Sequence, residues 1–134
     1  MLLGTDNSGM TAWHWAACNR KLDILLKVWE WAEEKLTRED INNKLLLGTD
    51  KEGKTAWHLA AMYGHLEALQ KILEWAEKKL TIEEINNKLL LARDNSGMTA
   101  LHWAGRNGKL DILLKLSDWA KKNLPTVEIN NKLL

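Results

Sequence analysis

Asp50-Lys51-Glu52-Gly53-Lys54-Thr55-Ala56-Trp57-His58-Leu59-Ala60-Ala61-Met62-Tyr63-Gly64-His65-Leu66-Glu67 decides the fold, because the stretch is not unique in the chain. Its Thr55-Ala56-Trp57-His58 segment stands 44 residues after Thr11-Ala12-Trp13-His14 and 44 before Thr99-Ala100-Leu101-His102. Working outward, Ile41-Asn42-Asn43-Lys44, Ile85-Asn86-Asn87-Lys88 and Ile129-Asn130-Asn131-Lys132 keep the same offset. The first two copies agree at 27 of 44 positions, more than convergence of core residues would give. A fixed period of this length is the signature of a repeat architecture. The expected organisation is one repeat domain, 1–134, with units 1–44, 45–88 and 89–132; Leu133-Leu134 open a fourth copy that stops.

Each unit reads as a turn followed by three helices. Asp6-Asn7-Ser8-Gly9, Asp50-Lys51-Glu52-Gly53 and Asp94-Asn95-Ser96-Gly97 suit a type I turn, with Asp first and Gly fourth. Thr11, Thr55 and Thr99 are placed to cap a short, alanine-rich first helix. Gly64 and Gly108 supply a left-handed end to it, where the first copy has Arg20, at up to ~1 kcal/mol if that geometry is kept. The second helix, predicted over Leu22–Leu36, carries two apolar stripes. One is Leu22, Leu25, Trp29, Ala32 and Leu36; the other is Ile24, Val28 and Trp31. Two stripes mean a helix covered on two sides, as in a solenoid whose units contact only their neighbours. A third, short helix follows Thr37 and Thr81, with acids in its first turn and Glu84 placed for a capping box. In the third copy Pro125 replaces that Thr, which a helix start tolerates. The expected fold is an all-α solenoid of three stacked units, each a turn, two antiparallel helices and an added short third helix.

Composition bounds the function. With 46% hydrophobic and 28% charged residues the 134-residue chain is an ordinary globular sequence. A net charge of +1 argues against nucleic acid as a partner, since phosphate binding needs a basic face. A lone cysteine, Cys18, forms no internal disulfide and suits a reducing compartment or any compartment equally; the expected localisation is cytoplasmic. Met1-Leu2-Leu3-Gly4 has no signal-peptide pattern, and no stretch approaches the ~18 apolar residues of a membrane span.

The second copy, from Asp50 through Glu67, resembles the ankyrin repeat. That family's unit opens with an Asp-x-x-Gly turn, continues Thr-Pro-Leu-His-x-Ala-Ala and closes Gly-His-Leu-Glu. Ala56-Trp57 depart from its Pro-Leu pair; Arg20, Gly105, Lys21 and Lys109 are departures in the other copies. The likeness covers about the first 30 residues of each copy. The period departs too, because ankyrin units run 33 residues and 44 falls in the armadillo and HEAT range. An armadillo-like stack is therefore the alternative. What the resemblance implies is a stack without catalysis that presents turn tips and the exposed end of the first helix to another protein. In this sequence those are Asn7, Ser8, Met10, Cys18 and Asn19; Lys51, Glu52, Lys54, Met62 and Tyr63; and Asn95, Ser96, Met98, Arg106 and Asn107.

His14, His58 and His102 raise the question of a metal. One per unit, they fall about a helix-packing distance of 8–10 Å apart, too far to share a zinc ion. The resemblance implies instead that each bonds to backbone or to a neighbouring Thr, and that His65 behaves similarly. The eight tryptophans read as core, because they exchange with leucine at Trp15/Leu59, Trp57/Leu101 and Trp29/Leu73, and leucine cannot stack a ligand ring. Glu33, Glu34, Lys35, Lys78 and Lys79 read as a solvated face. No nucleophile, metal or phosphate motif is present, so neither enzyme activity nor a cofactor is expected. Two functions remain: a protein-interaction module or scaffold, or an engineered or excised array with no native partner, the reading to which identical Asn-Ser-Gly-Met tips in copies one and three point. Core-stripe residues kept in the outer copies predict end-to-end self-association.

Overall fold

The computed structural model describes residues 4–123, and every regular element among them is helical. The first unit holds α1 (Ala12–Cys18), α2 (Leu22–Lys35) and α3 (Arg38–Asp40), which runs into a π-helical turn, π1 (Ile41–Leu46). The second holds α4 (Ala56–Tyr63), α5 (Leu66–Lys79), α6 (Ile82–Ile85) and π2 (Asn86–Leu90). The third holds α7 (Ala100–Arg106) and α8 (Leu110–Asn123). The third-copy helix expected at Pro125, and Leu133-Leu134, lie outside the described residues.

Translation by 44 residues is the rule of assembly. α1 packs on α4 and α4 on α7, while α2 packs on α5. Small residues make the first layer possible: Ala16, Ala17, Ala56, Ala60, Ala61, Ala100 and Ala104 are all buried, so neighbouring backbones approach closely. The second layer is filled by large side chains. Trp29 of α2 stacks on Trp75 of α5 at 4.7 Å and 8° between planes, and Trp13 of α1 tilts against both at 5.9 and 5.6 Å. Each such aromatic pair adds ~0.5–1.5 kcal/mol beyond area burial.

Both stripes of the second helix behave as a sandwiched helix requires in the middle unit, where Leu69, Leu73 and Ala76 are buried on one side and Ala68, Ile72 and Trp75 on the other. The first unit corrects the expectation that the whole second stripe is core. Val28 is buried but Ile24 and Trp31 are exposed, because no unit lies on that side of α2 among the described residues.

Local chemistry sets the helix ends. In each unit the Thr hydroxyl accepts the amide of the His three residues on, and the His ring returns the bond. Thr11, Thr55 and Thr99 N–H donate to Nδ1 of His14, His58 and His102 at 3.1, 3.2 and 3.1 Å. This is a capping box with His in the place of Glu or Gln. Gly64 ends α4 at φ +76°, and Arg20 keeps the same left-handed geometry at φ +57° despite its side chain. The third segment is less regular than predicted. A single α-turn capped by Thr37 or Thr81 widens into a π-turn whose bonds close five residues apart, Leu47 N–H to the Asn42 carbonyl and Leu91 N–H to that of Asn86. Ile41, Leu45 and Leu46 of this turn are all buried.

Candidate interaction surface

The turn tips form a row along one edge of the stack. In each tip one Asp oxygen accepts two backbone amides: Asp6 Oδ1 takes those of Ser8 and Met10, Asp50 Oδ1 those of Glu52 and Lys54, and Asp94 Oδ1 those of Ser96 and Met98, all at 2.9–3.0 Å. Such Asx turns fix the loop without outside help. The tips are then tied to one another. Lys51 N–H donates to the Ser8 carbonyl at 2.9 Å and Asn95 N–H to the Glu52 carbonyl at 2.8 Å. The row is therefore rigid before any partner arrives.

Most expected contact residues lie on this edge. Asn7, Ser8, Lys51, Glu52, Tyr63, Asn95, Ser96, Arg106 and Asn107 are exposed, as is Asn19; Cys18, Met62 and Met98 are half-buried. Two are not available: Met10 and Lys54 are buried. Lys54 reaches across to the third unit, with Nζ 3.4 Å from Asp94 Oδ2, 3.5 Å from Glu52 Oε2 and 5.1 Å from the centre of the Trp103 ring. The signal was in the alignment: the same place holds Met10 and Met98, side chains that read naturally as partly covered.

The tryptophans require a second correction. Trp13, Trp29, Trp57 and Trp75 are core, but Trp15 and Trp31 are exposed and Trp103 and Trp119 half-buried. Trp15 and Trp103 stand beside their own tips, each indole N–H donating to Asp6 or Asp94 Oδ2 at 2.7 Å. Arg106 lies 5.5 Å from the Trp103 ring. Exchange with Leu59 was a poor guide, since Trp15 reaches a polar partner that Leu lacks. The clue was that Trp recurs nine residues after Asp in the two units whose tip is Asn-Ser-Gly-Met.

The histidines are absorbed by the fold. With Nδ1 accepting from Thr, the ring proton sits on Nε2, and it donates to a carbonyl 34 residues on: His14 to Gly48 and His58 to Ala92, both at 2.9 Å. Each ring thus ties the first helix of its unit to the strand of chain entering the next. Burial pushes all three histidines below the ordinary value. His65 bridges units differently, its Nδ1–H donating to the Ala17 carbonyl at 2.7 Å. Among the described residues no group of three or more His, Cys, Asp or Glu could hold a metal ion.

Charge at the tips is likewise set by local bonds. Burial pushes the Asp94 carboxyl up, but bonds from the Ser96 hydroxyl, the Trp103 indole and the Met98 and Ser96 amides outweigh it and hold it far below the carboxylate range. Asp6 is lowered too, chiefly by the Met10 amide and the Trp15 indole. Burial raises the Cys18 thiol, which disfavours the reactive thiolate.

These features define a class: a linear α-solenoid with a pre-ordered row of turns on one edge. A family model described as ankyrin repeats (3 copies) matches residues 31–126, and the chain belongs to the ankyrin repeat family. No curated protein matches it. Ankyrin repeats generally mediate protein–protein interactions and are typically non-catalytic. Among the described residues no helix is long and apolar enough to cross a membrane.

Proposed function

We propose that residues 1–134 act as one non-catalytic repeat domain that binds another protein along the row of tips and the adjoining end of the first-helix layer. One observation carries the reading: three side chains of the types that dominate interface energetics, Trp15, Tyr63 and Arg106, are exposed beside a tip row already locked by hydrogen bonds. A partner would meet little ordering cost there, which is the condition for useful affinity from modest area. Lys51, Glu52, Asn95 and Ser96 supply a polar rim of mixed charge, which fits a protein surface better than the phosphates of nucleic acid. We place the protein in the cytoplasm, a reducing compartment that suits a lone free Cys18.

A second reading is an array without a native partner. The identical Asn7-Ser8-Gly9-Met10 and Asn95-Ser96-Gly97-Met98 tips favour it, since recognition surfaces ordinarily diversify. A photo-reactive residue placed at Tyr63, with Glu77 on the far side of α5 as control, separates the two. Cross-linking of one cellular protein from position 63 and not from 77 is the expected result; equal or absent capture at both supports the array without a partner.

A further inference from the structure

The two ends of the stack are the two halves of a contact that the molecule already makes inside itself. Between the second and third units, Asn95 donates through its amide to the Glu52 carbonyl at 2.8 Å and through Nδ2 to the Lys51 carbonyl at 2.9 Å. Asn107 Nδ2 donates to the Met62 carbonyl at 2.9 Å. The fit is close: a Cβ added to Gly53 would lie 3.0 Å from the Asn95 nitrogen. The first unit carries the same donors, Asn7 at the place of Asn95 and Asn19 at the place of Asn107, and both are exposed. Asn19 Nδ2 turns back onto its own helix at the Trp15 carbonyl. The third unit carries the receiving side, and a Cβ added to Gly97, the counterpart of Gly53, would meet nothing within 4 Å.

The apolar surfaces match in the same way. Ile24 and Trp31 are 47% and 48% exposed, whereas their counterparts Ala68 and Trp75 are 4% and 6% exposed beneath the first unit. At the other end Leu110 and Leu114 are 64% and 57% exposed on α8. What covers the Ile24–Trp31 face inside the molecule is the second helix of a preceding unit, and the only such face left open among the described residues is that of α8.

We propose that this chain self-associates head to tail, the third unit of one copy seating on the first unit of the next. Asn7 and Asn19 then bond to the carbonyls of the third tip and of the end of α7, as Asn95 and Asn107 do within the chain. Ile24 and Trp31 cover Leu110 and, in part, Leu114, whose counterpart Leu26 is still 40% exposed beneath the second unit. Ser117 stands where the first two units have Trp29 and Leu73, so this contact lacks the Trp29–Trp75 stacking and is weaker than the internal one. It is a heterologous contact, in which the two faces differ and growth continues unless a ring closes. Its apolar part lies on α2 and α8, away from the row of tips, so variants there test it separately from partner binding.

Sedimentation velocity over a range of concentrations tests it on the full chain, with two variants: Ile24→Glu with Trp31→Glu for one face, Leu110→Glu with Leu114→Glu for the other. All four side chains are solvent-exposed, and circular dichroism melting checks that both variants fold. The unaltered chain is expected to gain mass with concentration, past a dimer. Each variant alone stays at the 15.4 kDa monomer, and an equimolar mixture forms a species of twice that mass and no larger, because only one competent pair of faces remains. An unaltered chain that is monomeric throughout overturns the proposal. So does either variant dimerising alone, which marks a face that pairs with itself, or a mixture that stays monomeric.

Discussion

Lys54 holds a buried charge between two units, and its neighbours decide what its removal costs. Its ammonium faces Asp94, whose carboxylate also accepts the Trp103 indole and the amides of its own turn. Replacing a whole buried ion pair by well-packed apolar side chains is often close to neutral, whereas removing one partner strands the other at ~3–5 kcal/mol. Met already stands at this place in the first and third units. Lys54→Met leaves the Asp94 carboxylate with its bonds from Ser96, Met98 and Trp103, whereas Asp94→Ala breaks those bonds and strands the Lys54 ammonium; Asp94→Ala is therefore expected to be the more destabilising of the two, as urea unfolding will measure. The histidines give the chain a pH dependence of definite sign. Burial lowers the folded values of His14 and His58 below 6.5. The unfolded chain thus binds more protons between the folded value and 6.5, so the stabilisation is complete above 6.5 and is lost as pH falls toward and through the folded value. The lowered carboxyls of Asp6 and Asp94 add a second loss in the same direction, as pH falls below 3.8. Urea midpoints at pH 7.5 and pH 5 are expected to differ, and His58→Gln is expected to shrink that difference while lowering the midpoint at pH 7.5.

At the scale of the element, the turns and the third segments join the units. The tip glycines offer a controlled comparison. Gly53 and Gly97 have nearly the same backbone, φ +79° and +81°, so the strain of adding a methyl group is common to both. They differ in surroundings, because the Gly53 position faces Asn95 and the Gly97 position is open. Gly53→Ala is accordingly expected to cost more than Gly97→Ala, and the difference in unfolding free energy reports the seat between tips alone. The π-turn joins units by a different route. Arg38 Nη2 and Asn42 Nδ2 both donate to the Lys79 carbonyl at 3.1 Å, satisfying an end of α5 that its own helix leaves without a partner. Lys79 and Glu33, expected as solvated charges, meet across the same boundary at 3.5 Å. The added third segment therefore caps the second helix of the following unit.

At the scale of the molecule, stability resides in contacts between neighbours. The Trp13, Trp29 and Trp75 cluster draws on two units, and each His14 or His58 clamp reaches the chain entering the next. No single unit closes a core, and about three repeats is the usual minimum. Deleting residues 45–88 reduces the internal interfaces from two to one, a new contact between the first and third units, so the product is expected to lose its cooperative thermal transition by circular dichroism.

The period, the helices and their caps are legible in the chain, since Thr, His, Gly and Asp act through bonds only a few residues long. So are the two faces that the second helix has to cover. Which of them is covered is settled by the stacking of units. Ile24 and Ala68 occupy the same place in their units, yet one is open and the other closed, because burial depends on what lies across the boundary. The same cause placed Lys54 inside and Trp15 outside. Both depend on reach to a particular partner, Asp94 of the next unit or Asp6 of its own tip, which hydrophobicity alone does not record.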